Sequence, residues 1–211
     1  MHAQTPHIVG ISGGSCAGKT WLTDQLLERL EGKAVRLSLD DFYLDKSHLS
    51  PGRRARLNFD HPKAIDWERL ETVLSNFAEG RAAAVPRYDF ATHGRLQGER
   101  EVKPAPIVIV EGLWLFRRPQ LRKLFDLKIF IRTSRQLCVE RRLQRDTAER
   151  GRTRKQVLEQ LERYTLPMSE RYVAPQEKWA DAILEAPIKK NQILEMITRI
   201  ETSRKAVGVG I

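Results

Sequence analysis

The sequence predicts an α/β fold, a parallel sheet of about five strands flanked by helices. Three observations carry that reading. Short apolar β-rich runs alternate with stretches of helical periodicity along most of the chain. The runs are continuously apolar, as strands covered on both faces are, whereas half-exposed strands would alternate. A glycine-rich turn joins the first run to the first helix.

The first strand is residues 7–12. Residues 20–30 follow as a helix, with Trp21, Leu22, Leu26, Leu27 and Leu30 recurring at helical spacing. A second run, 35–39, leads into Asp40-Asp41-Phe42-Tyr43 at the same sheet edge as the glycine-rich turn. Asp66 is placed to cap a helix that reaches about residue 78 and is closed by Gly80. Residues 85–102 read as a β-hairpin flap. The run 107–110 is β-branched and ends in Glu111-Gly112, and a further strand covers 126–131. Residues 136–150 form a strongly charged helix ended by Gly151, and a helix over 154–166 stops at Pro167. A last strand and helix complete the order, with residues 205–211 as a frayed end.

Composition narrows the class. With 211 residues the chain suits one domain carrying a small lid, read here as residues 1–211 with a flap at 85–102 and a lid at 134–166. A chain of this length buries enough surface to fold without disulfides or structural metal. It has two cysteines, no signal-like N-terminus, and no run of about 18 uncharged apolar residues, so the expectation is a cytoplasmic protein with no membrane partner. Its 37 Lys and Arg against 27 Asp and Glu leave a net charge of +10, which calls for an anionic partner.

Gly13-Gly14-Ser15-Cys16-Ala17-Gly18-Lys19-Thr20 fits G-x-x-x-x-G-K-[ST], the phosphate loop of a P-loop NTPase-type sheet. Its glycines let backbone N–H groups turn toward phosphate oxygens, and the following helix points its positive end at the same anion. Lys19 then reaches the β and γ phosphates of ATP or GTP, and the Thr20 hydroxyl ligates Mg²⁺. Glu111, closing an apolar strand, places a carboxylate on the metal side of the crevice. The chain has no Asn-Lys-x-Asp guanine reader, which excludes a switch GTPase, and it is too short for a helicase. A small kinase remains, needing an acceptor-orienting carboxylate, an acceptor pocket and a lid. Asp40 and Asp41 both stand at the right edge. Neighbours on a strand point to opposite faces, so one of them holds the acceptor, and spacing leaves both open.

Several strings together resemble the uridine-cytidine kinase branch of the phosphoribulokinase/uridine kinase family, from about residue 8 to 186. They are the phosphate loop, Asp40-Asp41-Phe42-Tyr43, Asn58-Phe59-Asp60-His61-Pro62, the stretch from Pro86 through Tyr88, Phe90 and His93 to Arg95, Val108-Ile109-Val110-Glu111-Gly112, and the stretch from Arg145 to Arg152. The resemblance implies a kinase that moves the γ-phosphoryl group of ATP or GTP, with Mg²⁺, to the 5′-hydroxyl of uridine or cytidine. It implies Asp40 as base or metal-side ligand and Asp60 on the ribose hydroxyls. By the same resemblance Tyr88, Phe90 and His93 line a base pocket, joined at the acceptor side by Tyr43 and Phe59. It also implies a homo-oligomer, tetramer or dimer. Cys16-Ala17 replaces the family's usual Ala-Ser, and Lys63 stands where an acid is common. Arg53, Arg54 and Arg56 would suit a phosphorylated acceptor such as a sugar phosphate, and related kinases of ribulose 5-phosphate, pantothenate and nicotinamide riboside, which share the phosphate loop, stay as alternatives.

Between residues 132 and 155 lie nine Lys or Arg and three acids, a local net charge of +6. Arginines folding over a triphosphate give bidentate contacts, and Gly151 offers a hinge. The resemblance assigns Arg145 and Arg150 to phosphates, Arg142 to ribose and Arg152 to the base, with Gln160 near the nucleoside. A basic nucleic-acid-binding NTPase is the remote alternative. It is disfavoured because the chain has no zinc-finger spacing, no RNP-like string and no heptad zipper.

Overall fold

Backbone hydrogen bonding in the computed structural model, which describes residues 5–54, 56–90 and 92–208, joins five strands into one parallel sheet. Along the chain the elements are β1 (His7–Gly13), α1 (Lys19–Arg29), β2 (Ala34–Ser38), α2 (Pro51–Arg54) and α3 (Trp67–Ala78). Then come β3 (Ala83–Val85), β4 (Tyr88–Asp89), β5 (Gly94–Arg95), β6 (Arg100–Val102), β7 (Ile107–Gly112), α4 (Pro119–Arg122) and β8 (Leu127–Arg132). The chain finishes through α5 (Arg135–Glu149), α6 (Arg154–Gln160), α7 (Leu166–Met168), β9 (Ala182–Glu185) and α8 (Lys190–Gly208).

The sheet order is β2-β7-β1-β8-β9, and every pairing is parallel. Both faces are covered, which explains the continuous apolar strands. Val9, Ile11, Ile107, Ile109, Ile129 and Ile131 pack with Leu22, Leu26, Met196 and Ile200 of α1 and α8. Ile8, Val108, Val110 and Phe130, alternating with them, face Leu70, Leu74 and Phe77 of α3 together with Phe42, Trp114 and Phe116. The register sets Glu111 between Ile11 of β1 and Ser38 of β2, at the carboxyl edge where ligands of such sheets bind.

Local signals account for most boundaries. The Asp66 side chain accepts from the Arg69 N–H to start α3, and Gly80 past its end has φ +72°. Ser134 caps α5 through the Leu137 N–H, and Gly151, with φ +62°, follows its last turn. Thr153 and Gln156 form a capping box at the start of α6.

Four expectations change. β2 ends at Ser38, and residues Leu39–Phe42 form a 3₁₀ turn in which the Ser38 hydroxyl accepts from the Asp40 N–H. Asp40 and Asp41 therefore sit on a turn, and strand alternation does not apply to them. The stretch 85–102 is part of two nested ribbons, β3 with β6 and β4 with β5, each antiparallel. Pro167 does not end the helical arm. α6 widens into a π-helical turn, Leu161–Thr165, and Pro167 falls in the first turn of α7, where a missing N–H is tolerated. Helix α8 continues to Gly208, so the start of the expected frayed end is helical, while residues 209–211 lie outside the described residues. Among the described residues no helix is long and apolar enough to cross a membrane.

Gly112 fixes how close the turn after β2 comes to β7. A Cβ there would lie 2.3 Å from Leu39 Cβ and 2.7 Å from Leu39 Cδ2. Gly112→Ala is therefore expected to destabilise the protein by about 1–3 kcal/mol, read as a lowered Tm in thermal unfolding, and to displace the turn that carries Asp40. An unchanged Tm would show that the turn yields freely.

Candidate active site

The phosphate loop is built at the end of β1. A side chain at Gly13 would place its Cβ 2.6 Å from the Ile131 carbonyl oxygen, and Gly18 holds φ +99° immediately before α1. Cys16 also adopts a left-handed conformation, φ +57°. Lys19 Nζ donates to the carbonyls of Gly13 and Gly14 at 3.1 and 2.8 Å. Burial lowers the Lys19 pKa, against the pull of Glu111 and Asp40. Helix α5 docks on the loop through three contacts: Cys138 Sγ to the Ser15 carbonyl at 3.2 Å, Arg141 Nη1 to the Cys16 carbonyl at 3.1 Å, and Arg142 Nη1 to Ser15 Oγ at 2.7 Å.

Two carboxylates meet Lys19 in the cleft. Glu111 is 3 % exposed, and its Oε1 accepts from Arg36 Nη2 at 2.7 Å and Ser38 Oγ at 2.9 Å. Arg36 is itself braced by Asp24 at 3.3 Å. Burial, reinforced by the negative charge of Glu111 and opposed by Lys19, raises the Asp40 pKa to about 6. Asp41 turns the other way and pairs with Arg100 Nη2 at 3.2 Å. Of the two acids, Asp40 borders the cleft.

The cleft encloses about 1240 Å³ and runs from Ser15 through Thr20 of the phosphate loop to an aromatic pocket. There Phe59 and His93 stack with ring centroids 4.3 Å apart at 9°. Tyr43 donates to the Phe59 carbonyl at 3.1 Å and packs edge-on to Phe90 at 5.8 Å. Burial first, then Arg152 and Arg54, lower the His93 pKa, so the imidazole is neutral at pH 7. Asp60 accepts at Oδ2 from Thr165 Oγ1 at 3.0 Å, and its backbone N–H donates to Asn58 Oδ1 at 3.0 Å. Tyr88 does not border the cleft. It backs Tyr43 and Phe90 at 5.0 and 5.2 Å, and its hydroxyl lies 3.5 Å from His93 Nδ1. Gly13 and Gly14 likewise stand behind the cleft wall.

The arginines of the helical arm share one anion. Asp146 is fully buried and meets Arg142 Nε at 2.9 Å, Arg145 Nη2 at 2.9 Å, Arg152 Nη1 at 3.1 Å and Arg150 Nη1 at 3.6 Å. Burial opposes its charge, but Arg142, Arg145 and Arg150 outweigh that effect and hold its pKa below the ordinary value. All four arginines and Gln160 border the cleft, with Arg150 over the Phe90 ring at 5.7 Å and Arg152 hydrogen-bonded to Gln160. Arg53, Arg54 and Arg56 do not border it, and Arg54 donates to the Thr92 carbonyl.

Asp146, one of the three acids in the basic segment, has a role the sequence expectations do not include, although its four-residue spacing from both Arg142 and Arg150 is a usable signal. Arg36 and Thr165 left no local signal, because each acts across the fold, on Glu111 and Asp60 respectively.

The donor set suits Mg²⁺. Among the described residues no group of three or more His, Cys, Asp or Glu could hold a metal. Mg²⁺ instead favours one or two carboxylates plus phosphate oxygens and water. Asp40, whose pKa is raised first by burial and then by the charge of Glu111, borders with Glu111 the same cleft as the exposed Thr20, and a bound cation would offset both effects.

The family described as Phosphoribulokinase / Uridine kinase matches residues 8–193. A uridine kinase of Chloroflexus aggregans is 37 % identical over 205 residues, 96 % of this chain and 98 % of that protein. A uridine kinase of Staphylococcus aureus is 39 % identical over 197 residues, 92 % of this chain and 95 % of that one. The solved phosphoribulokinase of Rhodobacter spheroides shares the fold, with a TM-score of 0.66 at 20 % identity over 86 % of this chain and 70 % of its own.

The electrostatics of the cleft predict a titration that can be followed without turnover. In ¹³C-labelled protein the Asp40 carboxyl should titrate near pH 6. Glu111→Gln removes a like charge and should lower that midpoint, whereas Lys19→Met removes an opposite one and should raise it. A midpoint in the ordinary carboxylate range, unmoved by either change, would contradict the arrangement.

Proposed function

The chain belongs to the phosphoribulokinase/uridine kinase family, and we propose that it is a nucleoside kinase that transfers the γ-phosphoryl group of ATP or GTP to the 5′-hydroxyl of uridine or cytidine. The observation that carries this reading is one continuous cleft with Asp40 and Glu111 between the phosphate loop and a pocket of flat aromatic rings beside Asp60. A sugar phosphate or pantothenate has no flat base to fill such a pocket, and the arginines that would suit a phosphorylated acceptor stand outside the cleft. Two uridine kinases at 37 and 39 % identity support the acceptor class.

On this reading the loop amides and Lys19 hold the β and γ phosphates, and Arg145 and Arg150 close on them from the arm. Arg142, bound to the Ser15 hydroxyl, and Arg152 with Gln160 complete the nucleoside side. Thr20 with Asp40 or Glu111 would hold Mg²⁺, which supplies charge neutralisation on the phosphate oxygens. Phe59, Phe90 and His93 take the base, the first two by apolar contact and His93 by a neutral ring nitrogen. Asp60 accepts from the ribose hydroxyls. Asp40 takes the 5′-hydroxyl proton as the oxygen bonds to the γ-phosphorus and the nucleoside diphosphate, ADP or GDP, leaves. A carboxylate with a pKa near 6 is a better base than an ordinary Asp yet is ionised at pH 7. The nested ribbons serve as a flap and α5 with α6 as a lid, keeping water from the transferred group.

Purified protein with Mg²⁺ and ATP or GTP should leave ribulose 5-phosphate and pantothenate unchanged and should phosphorylate uridine or cytidine in preference to nicotinamide riboside, which shares the ribose and a flat ring. Preference for ribulose 5-phosphate, pantothenate or nicotinamide riboside would overturn the acceptor assignment. Lys19→Ala should lower kcat by about 10²-fold or more, and activity within a factor of two of wild type would remove Lys19 from the chemistry. Asp40→Asn should lower kcat far more than it raises the nucleoside KM. The acid limb of kcat/KM should report protonation of Asp40, which cannot then accept the hydroxyl proton, and should fall at or below pH 6, since bound Mg²⁺ opposes the burial and the Glu111 charge that raise this pKa.

A further inference from the structure

Helical threonines usually satisfy their hydroxyl on their own helix, by donating to the carbonyl four residues back. Thr72, Thr147, Thr198 and Thr202 do so here, at 2.9, 2.7, 3.1 and 2.8 Å. Thr165 does something else. Its hydroxyl reaches Asp60 Oδ2, 105 positions away in sequence, at 3.0 Å. Thr165 is 4 % exposed and does not border the cleft, whereas Asp60 does. It closes the π-helical turn Leu161–Thr165, the point at which the arm departs from α-helix. A π turn holds one residue more than an α turn, so it swings the following side chains by about 100° relative to a continuous α-helix. That rotation takes Thr165 off its own helix and onto the acceptor carboxylate. With the Asp60 N–H fixed on Asn58 Oδ1, backbone and carboxylate are both tied.

We propose that Thr165 is a positioning residue for the acceptor, holding Asp60 Oδ2 so that the carboxylate presents Oδ1 to the vicinal hydroxyls of a ribose. The inference rests on the nucleoside-kinase reading and deepens it. It also links the two halves of the reaction, because the same arm carries the arginines of the donor side and the hydroxyl that aims the acceptor carboxylate. Thr165 acts through a single charge-assisted hydrogen bond to Asp60, so its loss bears on acceptor binding alone.

Thr165→Val keeps the shape and removes the donor. It should raise the KM for uridine about tenfold, with kcat and the ATP KM changed less than about threefold and Tm preserved. The preference for uridine over 2′-deoxyuridine should shrink with it, and Thr165→Ser, which restores the hydroxyl, should recover most of the wild-type KM. An unchanged uridine KM in Thr165→Val overturns the proposal. So does a Thr165→Ser as impaired as Thr165→Val, or a parallel fall in Tm, kcat and ATP affinity, which would mark a packing role. Wild-type protein that turns over neither uridine nor cytidine overturns the acceptor reading and this inference together, whereas wild-type turnover with an indifferent Thr165→Val overturns this inference alone.

Discussion

Lys19, Asp40 and Glu111 put one positive and two negative charges into a cleft that withdraws them from water, and most of the surrounding structure answers to that arrangement. Charges so placed must be paired or must shift their protonation. Glu111 is paired, by Arg36 and Ser38 from the neighbouring strand. Lys19 turns its amine onto two loop carbonyls. Asp40 is left to respond through its pKa, and the pKa near 6 that results is one suited to accepting a proton at neutral pH. Parallel pairing of β2, β7 and β1 is what brings the three together, since it sets the ends of all three strands at one edge. The missing side chain at Gly112 then lets Leu39, and with it the turn bearing Asp40, settle against β7.

What could be read from the chain alone was whatever depends on neighbours in sequence. The phosphate loop, the β-branched strand before Glu111, the cap at Asp66 and the glycines at 80 and 151 are short-range signals, and each coincides with an element boundary. What could not be read depends on contacts across the fold. The Ser38 hydroxyl caps a 3₁₀ turn and ends β2 before the two aspartates, which settles their directions by turn geometry and by Arg100. Pro167 reads as a stop only if the helix around it is α-helical, and the π turn before it removes that premise. Tyr88 carries the right chemistry for a stacking surface yet lies a layer behind it, because Tyr43 and Phe90 occupy the wall.

The charge surplus looks different once the fold is known. The segment from Arg132 to Lys155 has a net charge of +6, but four of its arginines converge on the one buried carboxylate of Asp146. The arm is thus a pre-assembled cation cluster held at fixed geometry, and not a loose basic surface. Guanidiniums fixed in this way lose less freedom when an anion arrives than side chains gathered from solvent. Arg142 joins the cluster to the Ser15 hydroxyl, so the arm and the phosphate loop are one hydrogen-bonded unit.

That shared carboxylate also bears on how such a site can change over generations. Because Asp146 contacts Arg142, Arg145, Arg150 and Arg152 at once, the effect of replacing any one of them depends on the other three still being present. Residues coupled in this way drift together or stay put. Phe90, 40 % exposed at the rim of the cleft, does not touch Asp146, but it lies under Arg150 and against Tyr43 and Tyr88, so it joins the same coupled set at one remove. Since that one carboxylate ties arginines of the triphosphate side to arginines of the nucleoside side, a lineage descending from this fold could not rebuild its acceptor contacts at Arg142 or Arg152 without disturbing its hold on the triphosphate.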